Sequence, residues 1–171
     1  MAESYPRIAQ VVLDTTDARM LAEFYRQLFG LEYRAGDEPP APNRPDPRGS
    51  DWLVLRNTHG GPQLAFQQTD GVRPSTWPDA GVPQMLHLDT VVATRDDLQI
   101  HRDRALALGA TELLDRTDAK MSPCMCSPTL PDTHSAFSWD DPPIPWPRPA
   151  GEADASKACF VAANELKDHI R

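Results

Sequence analysis

Between residues 8 and 68 the apolar positions change period repeatedly, and each change marks an element. Ile8 to Asp14 (IAQVVLD) is a short, Val-containing apolar run that predicts a buried strand. Asp17 follows as a helix N-cap, and in ARMLAEFYRQLFG the residues Leu21, Phe24, Tyr25 and Leu28 recur at helical spacing. Gly30 closes that helix as a C′ residue, because glycine takes the left-handed conformation without strain. Leu31 to Arg34 predicts a strand, residues 36–50 hold five prolines and predict a loop, and DWLVLR (51–56) and QLAFQQ (63–68) predict two strands joined by the turn NTHGGP.

The pattern then restarts. Gln84 to Ala93 predicts a strand, Asp96-Asp97 a helix start, Leu108-Gly109 its end, and Thr111 to Leu114 a further strand. Gln10 and His87 hold matching places 77 residues apart, and Gly30 and Gly109 lie 79 apart. A period kept from strand to helix end indicates an internal repeat of a β-α-β-β-β unit. The expected fold is α+β: two βαβββ modules forming a curled mixed-sheet cup, the second incomplete, plus a disordered Pro-rich tail. The expected boundaries are 1–118 for the domain (module 1 about 7–68, linker 69–83, module 2 from 84) and 119–171 for the tail.

Composition narrows the function. A net charge of -8 and a pI near 5.0 argue against nucleic acid and anionic membranes as partners. No apolar run approaches the ~20 residues that span a bilayer, and MAESYPR lacks the apolar stretch of a signal peptide, so a cytoplasmic location is expected. The three cysteines, all after residue 123, agree. Composition also shifts near Asp118: all twelve earlier cations are Arg, whereas Lys120, Lys157, Lys167 and all the cysteines come later.

Residues 121–139 fit no strand pattern, although the repeat calls for two strands there. Reading the implied codons from Pro123 one base out of step permits Val-Tyr-Val-Phe-Ala-Asp-Pro-Ala-Gly-His-Pro-Phe-Cys-Leu-Phe-Val-Gly, which is strand, turn, strand. The following codon, YGA, includes a stop. The tail after about Asp118 is therefore read as a frameshifted translation. A chain lacking those two strands exposes a sheet edge, and low stability is expected of it.

The run RIAQVVLDTTDARMLAEFYRQLFGLEY resembles the opening of the vicinal-oxygen-chelate superfamily, which includes glyoxalase I, bleomycin-resistance proteins and extradiol dioxygenases. GGPQLAFQ, STWPDAGVPQMLHLDTVVA and ALALGATELL resemble its glyoxalase-like subgroup, so the resemblance spans residues 7–117, and the out-of-frame ADPAGHPFC resembles that family's closing signature. The resemblance implies a ligand-binding cup and, in metal-dependent members, four metal ligands. On those positions fall Gln10, Ala65 and His87, the fourth having no counterpart in the chain as given, so both expected carboxylates are absent. Hard divalent cations want anionic oxygen.

The candidate ligand-binding residues are Gln10, Trp52, Gln67, Trp77 and His87. His87 reads either as a histidine packed in the core or as a ligand contact and general base. Gln10 and Gln67 read as pocket donors or as partners of each other, and Trp52 and Trp77 as an aromatic wall or as packing. Asp14 and Asp89 read as residues that cap or turn at strand ends, not as catalytic groups. Cys124-x-Cys126 with His134 is too sparse for a metal site. The leading expectation is a small-molecule-binding protein of glyoxalase/bleomycin-resistance type, without cofactor, whose ligand is flat or cationic. The alternative is a lyase, isomerase or dioxygenase using a divalent metal at Gln10 and His87. Pairing of two chains as a homodimer stays open.

Overall fold

The computed structural model describes residues 5–77, 79–84, 86–92, 94–115, 125–126 and 157–159. Two compact units divide the chain, Met1–Val72 and Arg73–Arg171.

In the first unit the elements follow in the order β1 (Gln10–Thr15), α1 (Ala18–Phe29), β2 (Glu32–Tyr33), β3 (Trp52–Arg56) and β4 (Gln63–Gln68). They form one four-stranded mixed sheet in the order β1-β4-β3-β2, with β1 parallel to β4 and the other neighbours antiparallel. Both expected hairpin strands are present, β4 over the expected residues and β3 beginning one residue later.

Helix α1 starts where Asp17 accepts the Met20 N–H at 2.8 Å and ends at Gly30, whose φ is 65°. The Leu31 N–H reaches back to the Arg26 carbonyl, which closes the helix end tightly. Gln68 ties the helix to the sheet: its amide oxygen accepts from the Ala18 N–H at 2.9 Å and its amide nitrogen donates to the Thr16 carbonyl. Leu21, Phe24, Tyr25 and Leu28 are buried as the spacing requires, and Tyr25 stacks on Phe66 at 5.8 Å between ring centroids. Burying side chains of this size contributes roughly 1.5–3 kcal/mol each. Leu13, Leu53, Leu55 and Phe66 meet the helix from the sheet side.

The five-proline loop is pinned by charge. Asp37 is fully buried; it accepts the Val54 N–H at 3.0 Å and pairs with Arg34 at 2.9 Å and Arg48 at 3.1 Å. The Arg34 N–H meanwhile donates to the Val54 carbonyl, so the Asp37 carboxylate takes over the sheet-edge bonding where β2 stops. Arg19 crosses from the helix to chelate Asp46, at 2.7 and 3.1 Å, and to donate to the Asp37 carbonyl at 2.7 Å. Its guanidinium lies 5.0 Å from the centre of the Tyr33 ring. Gly49 is required by close approach, since a Cβ there would meet Asp46 Oδ2 at 2.2 Å.

The second unit contains β5 (Asp89–Val91), α2 (Arg95–Ala107), β6 (Leu114–Asp115), β7 (Met125–Cys126) and β8 (Lys157–Cys159). Helix α2 is capped by Thr94, not by the Asp96-Asp97 pair that the pattern suggests. Thr94 and Asp97 form a reciprocal capping box, which leaves Asp96 free to sit in the first turn. At the other end Gly109 takes φ 101° and the Ala110 N–H returns to the Ala105 carbonyl at 2.9 Å, the same closure as in α1. The two N-caps are 77 residues apart and the two terminal glycines 79, so the repeat is retained through both helix ends.

The strands diverge. The strand expected over residues 84–93 is confined to β5, which pairs antiparallel with β8, whereas β1 runs six residues parallel to β4. Strand β6 pairs antiparallel with β7. Cys124 and His134 lie outside the described residues. Among the described residues no helix is long and apolar enough to cross a membrane.

Candidate functional site

Side chains alternate across a strand, so the helix takes one face of the first unit's sheet and leaves the other to different residues. Register fixes that second face in three rows. Asp14, Gln67 and Trp52 form one row across β1, β4 and β3. Val12, Ala65 and Val54 form the next, and Gln10 pairs with Gln63 in the third. Adjacent strands lie ~4.8 Å apart and the rows ~6.6 Å apart, so these eight side chains cover an area on the scale of one small aromatic ligand.

Its chemistry is mixed. Asp14 and Gln67 are exposed and Trp52 is half-buried, whereas Ala65 and Val54 in the middle row are buried. The face therefore offers one carboxylate, neutral amides and one large π-surface around small apolar side chains. A cation can meet Asp14 electrostatically, a flat ring can lie against Trp52, and Gln67 between them can donate or accept.

Gln10, Trp52 and Gln67 thus share one face. Gln10 and Gln67 do not partner each other: four positions of strand separate them, ~13 Å, and the neighbour of Gln67 on β1 is Asp14. Asp14 is a strand residue on this face rather than a turn residue. The signal for it was parity, because Asp14 lies four positions from Gln10 and points the same way. Gln68, next to Gln67, belongs to the helix cap.

Trp77 and His87 belong to the second unit. Trp77 is half-buried, and its N–H donates to Ser75 Oγ at 3.0 Å. His87 precedes β5, and its side chain is 40% exposed with Nε2 at 3.8 Å from Asp89 Oδ1. The packed-core reading of His87 is therefore corrected: it stands in contact with solvent and a carboxylate. Asp89 is the first residue of β5.

The donor set bears on metal binding. On the first unit's second face, Ala65 supplies no donor, Gln10, Gln63 and Gln67 supply neutral amides, and Asp14 is the one carboxylate on β1, β3 and β4 there. A divalent oxygen-seeking cation needs more anionic ligands than this, so these residues do not fit one. Among the described residues no three of His, Cys, Asp and Glu cluster closely enough to hold a metal ion.

A helix laid across one face of a mixed four-stranded sheet, with a polar-rimmed second face and a repeated helix frame, defines a small α+β module protein. The chain matches the glyoxalase-like domain over residues 10–132 and belongs to that family, within the vicinal-oxygen-chelate superfamily. Two solved structures are similar. One is a glyoxalase/bleomycin resistance protein/dioxygenase family enzyme from Burkholderia phytofirmans PsJN, with 18% identity over 63% of this chain and 77% of that one and a TM-score of 0.42. The other is described as a possible glyoxalase from Bacillus cereus, with 18% identity over 66% of this chain and 82% of that one and a TM-score of 0.41. No curated protein matches the chain.

Proposed function

We propose that the protein is a cytoplasmic small-molecule-binding protein of glyoxalase/bleomycin-resistance type that works without a metal. Its ligand is a flat organic cation held against the row Asp14, Gln67 and Trp52, with Gln10 at the margin. The observation that carries this reading is that row: one carboxylate, one amide and one indole in register on three adjacent strands. The acidic chain favours cations at longer range, since its net negative charge raises their local concentration. The protein acts as a homodimer.

Proflavine, a flat cation at pH 7.5, and acridine, its neutral counterpart at that pH, are suitable calorimetric probes. Proflavine binds the more tightly. Trp52→Ala weakens both, and Asp14→Asn weakens proflavine alone, each by about 5- to 10-fold, the value of one exposed π or charge contact. Binding persists after dialysis against EDTA. Equal affinity of the Asp14→Asn protein for both probes as in the parent rejects the cation reading. Binding that appears only with added Zn²⁺, Ni²⁺, Mn²⁺ or Fe²⁺ would instead favour the metal-dependent lyase, isomerase or dioxygenase.

A further inference from the structure

The first unit shows what a finished module requires. Its opening strand β1 is held for six residues by β4, the return strand of the β3–β4 hairpin, and that hairpin supplies Trp52 and Gln67 to the candidate site. Among its described residues the second unit reproduces the helix frame, caps included, with different strand pairings. Its β5 is three residues long and pairs antiparallel with Lys157–Cys159, and its β6 is followed by two paired residues, Met125–Cys126. The place where the period puts the second module's hairpin lies outside the described residues.

The codons implied by the chain locate it. From Pro123 to Asp140, taking the last base of each codon with the first two of the next gives seventeen new codons. With serine as TCN, the first is NTG, the third GTG and the fourth YTC; the twelfth is YTC, the fourteenth NTT, the fifteenth YTC and the sixteenth NTG. A central T specifies an apolar residue in every one of these, whatever the free base. The fifth to eleventh codons have central C, A or G and specify small or polar residues. Two apolar blocks thus flank a polar turn, the layout of a hairpin, in a stretch whose printed reading, PCMCSPTLPDTHSAFSWD, has no strand pattern. The third codon must encode Val and the seventeenth Gly, and neither depends on codon choice.

We propose that the coding frame slips by one base between codons 115 and 123, and that the protein made in the cell closes its second module with this hairpin. Residues 124–171 as given are then the out-of-frame reading of the same gene. The in-frame product gains a strand pair to hold its second module's opening strand, and with it a second sheet face equivalent to the one that carries Trp52 and Gln67.

Two measurements decide it, neither involving a ligand, so their outcome is independent of the binding proposal. Resequencing the gene across codons 115–125 should find one base gained or lost. Tryptic mass spectrometry of the protein from its source should find the hairpin peptide. An unbroken frame in the DNA overturns the proposal, and so does recovery of the peptide Ala158–Lys167, ACFVAANELK, which exists only in the given frame.

Discussion

Asp37 is the most informative residue to change, because its carboxylate is fully buried and has three partners of different kinds. In Asp37→Ala the Val54 N–H loses its acceptor inside the sheet edge, which costs about 1–3 kcal/mol. The two arginines lose their counter-ion, but their side chains are 42% and 49% exposed and rehydrate, so each adds only about 0–1 kcal/mol. The expected total is about 1–5 kcal/mol. Asp37→Asn keeps an oxygen for Val54 and removes the charge, so it should cost about half as much. For a unit of this size 1 kcal/mol moves the melting temperature by roughly 4–8 °C. Circular dichroism melts of the three proteins should therefore rank parent, Asn, Ala, with at least ~4 °C between first and last. An alanine variant within ~3 °C of the parent would refute the claim that this carboxylate completes the sheet edge. Asparagine and alanine variants of equal stability would refute the hydrogen-bond share of it.

Four further outcomes follow from the same geometry. Gly49→Ala should displace Asp46 and break its pairing with Arg19, costing about 1–3 kcal/mol and opening residues 36–50 to limited proteolysis; in an Asp46→Ala background the added cost should largely vanish, as a double-mutant cycle would show. The hydrogen bond from Arg19 holds the Asp46 carboxyl below the usual carboxylate range. A lowered folded-state value means stability that is full above the unfolded-state value and lost as pH falls through the folded one, so the proteolytic rate of the loop should rise below about pH 4 and stay flat from 5 to 8. Leu21→Ala should destabilise the first unit by about 2–5 kcal/mol in urea titrations, since Leu21 is fully buried under the helix. Thr94→Ala should cost about 1 kcal/mol through loss of the capping box, read from helix content and melting.

What could be read from the chain depended on how local the cause was. Helix α1, its cap and its C′ glycine follow from spacing within fourteen residues, and the β3–β4 hairpin from two apolar runs and a glycine turn. The Asp17 cap was legible because no further capping residue follows it, whereas Thr94 was overlooked because two aspartates that look like better caps come after it. The loop clamp was not legible at all: Arg19, Asp37 and Asp46 are 9 to 27 positions apart, and no pattern in a polar, proline-rich segment says which charges meet. On the site, periodicity reached Gln10, Trp52 and Gln67, but register was needed to set Asp14 beside Gln67. The extended strand expected around His87 is shortened to β5, because strand length is decided by the partner and the run's own apolarity does not supply one.

The unequal edges of the first unit's sheet carry one last consequence. At one side lies β2, two residues long, running straight into a loop clamped by Arg19, Arg34 and Arg48. At the other lies β1, six residues long, with no strand on its outer side among the described residues. A sheet with two receptive edges can polymerise without limit; one with a single receptive edge is terminated by its first partner. The clamp therefore acts as a chain stopper, and any edge-to-edge association of this unit should end at a pair instead of growing into a fibre.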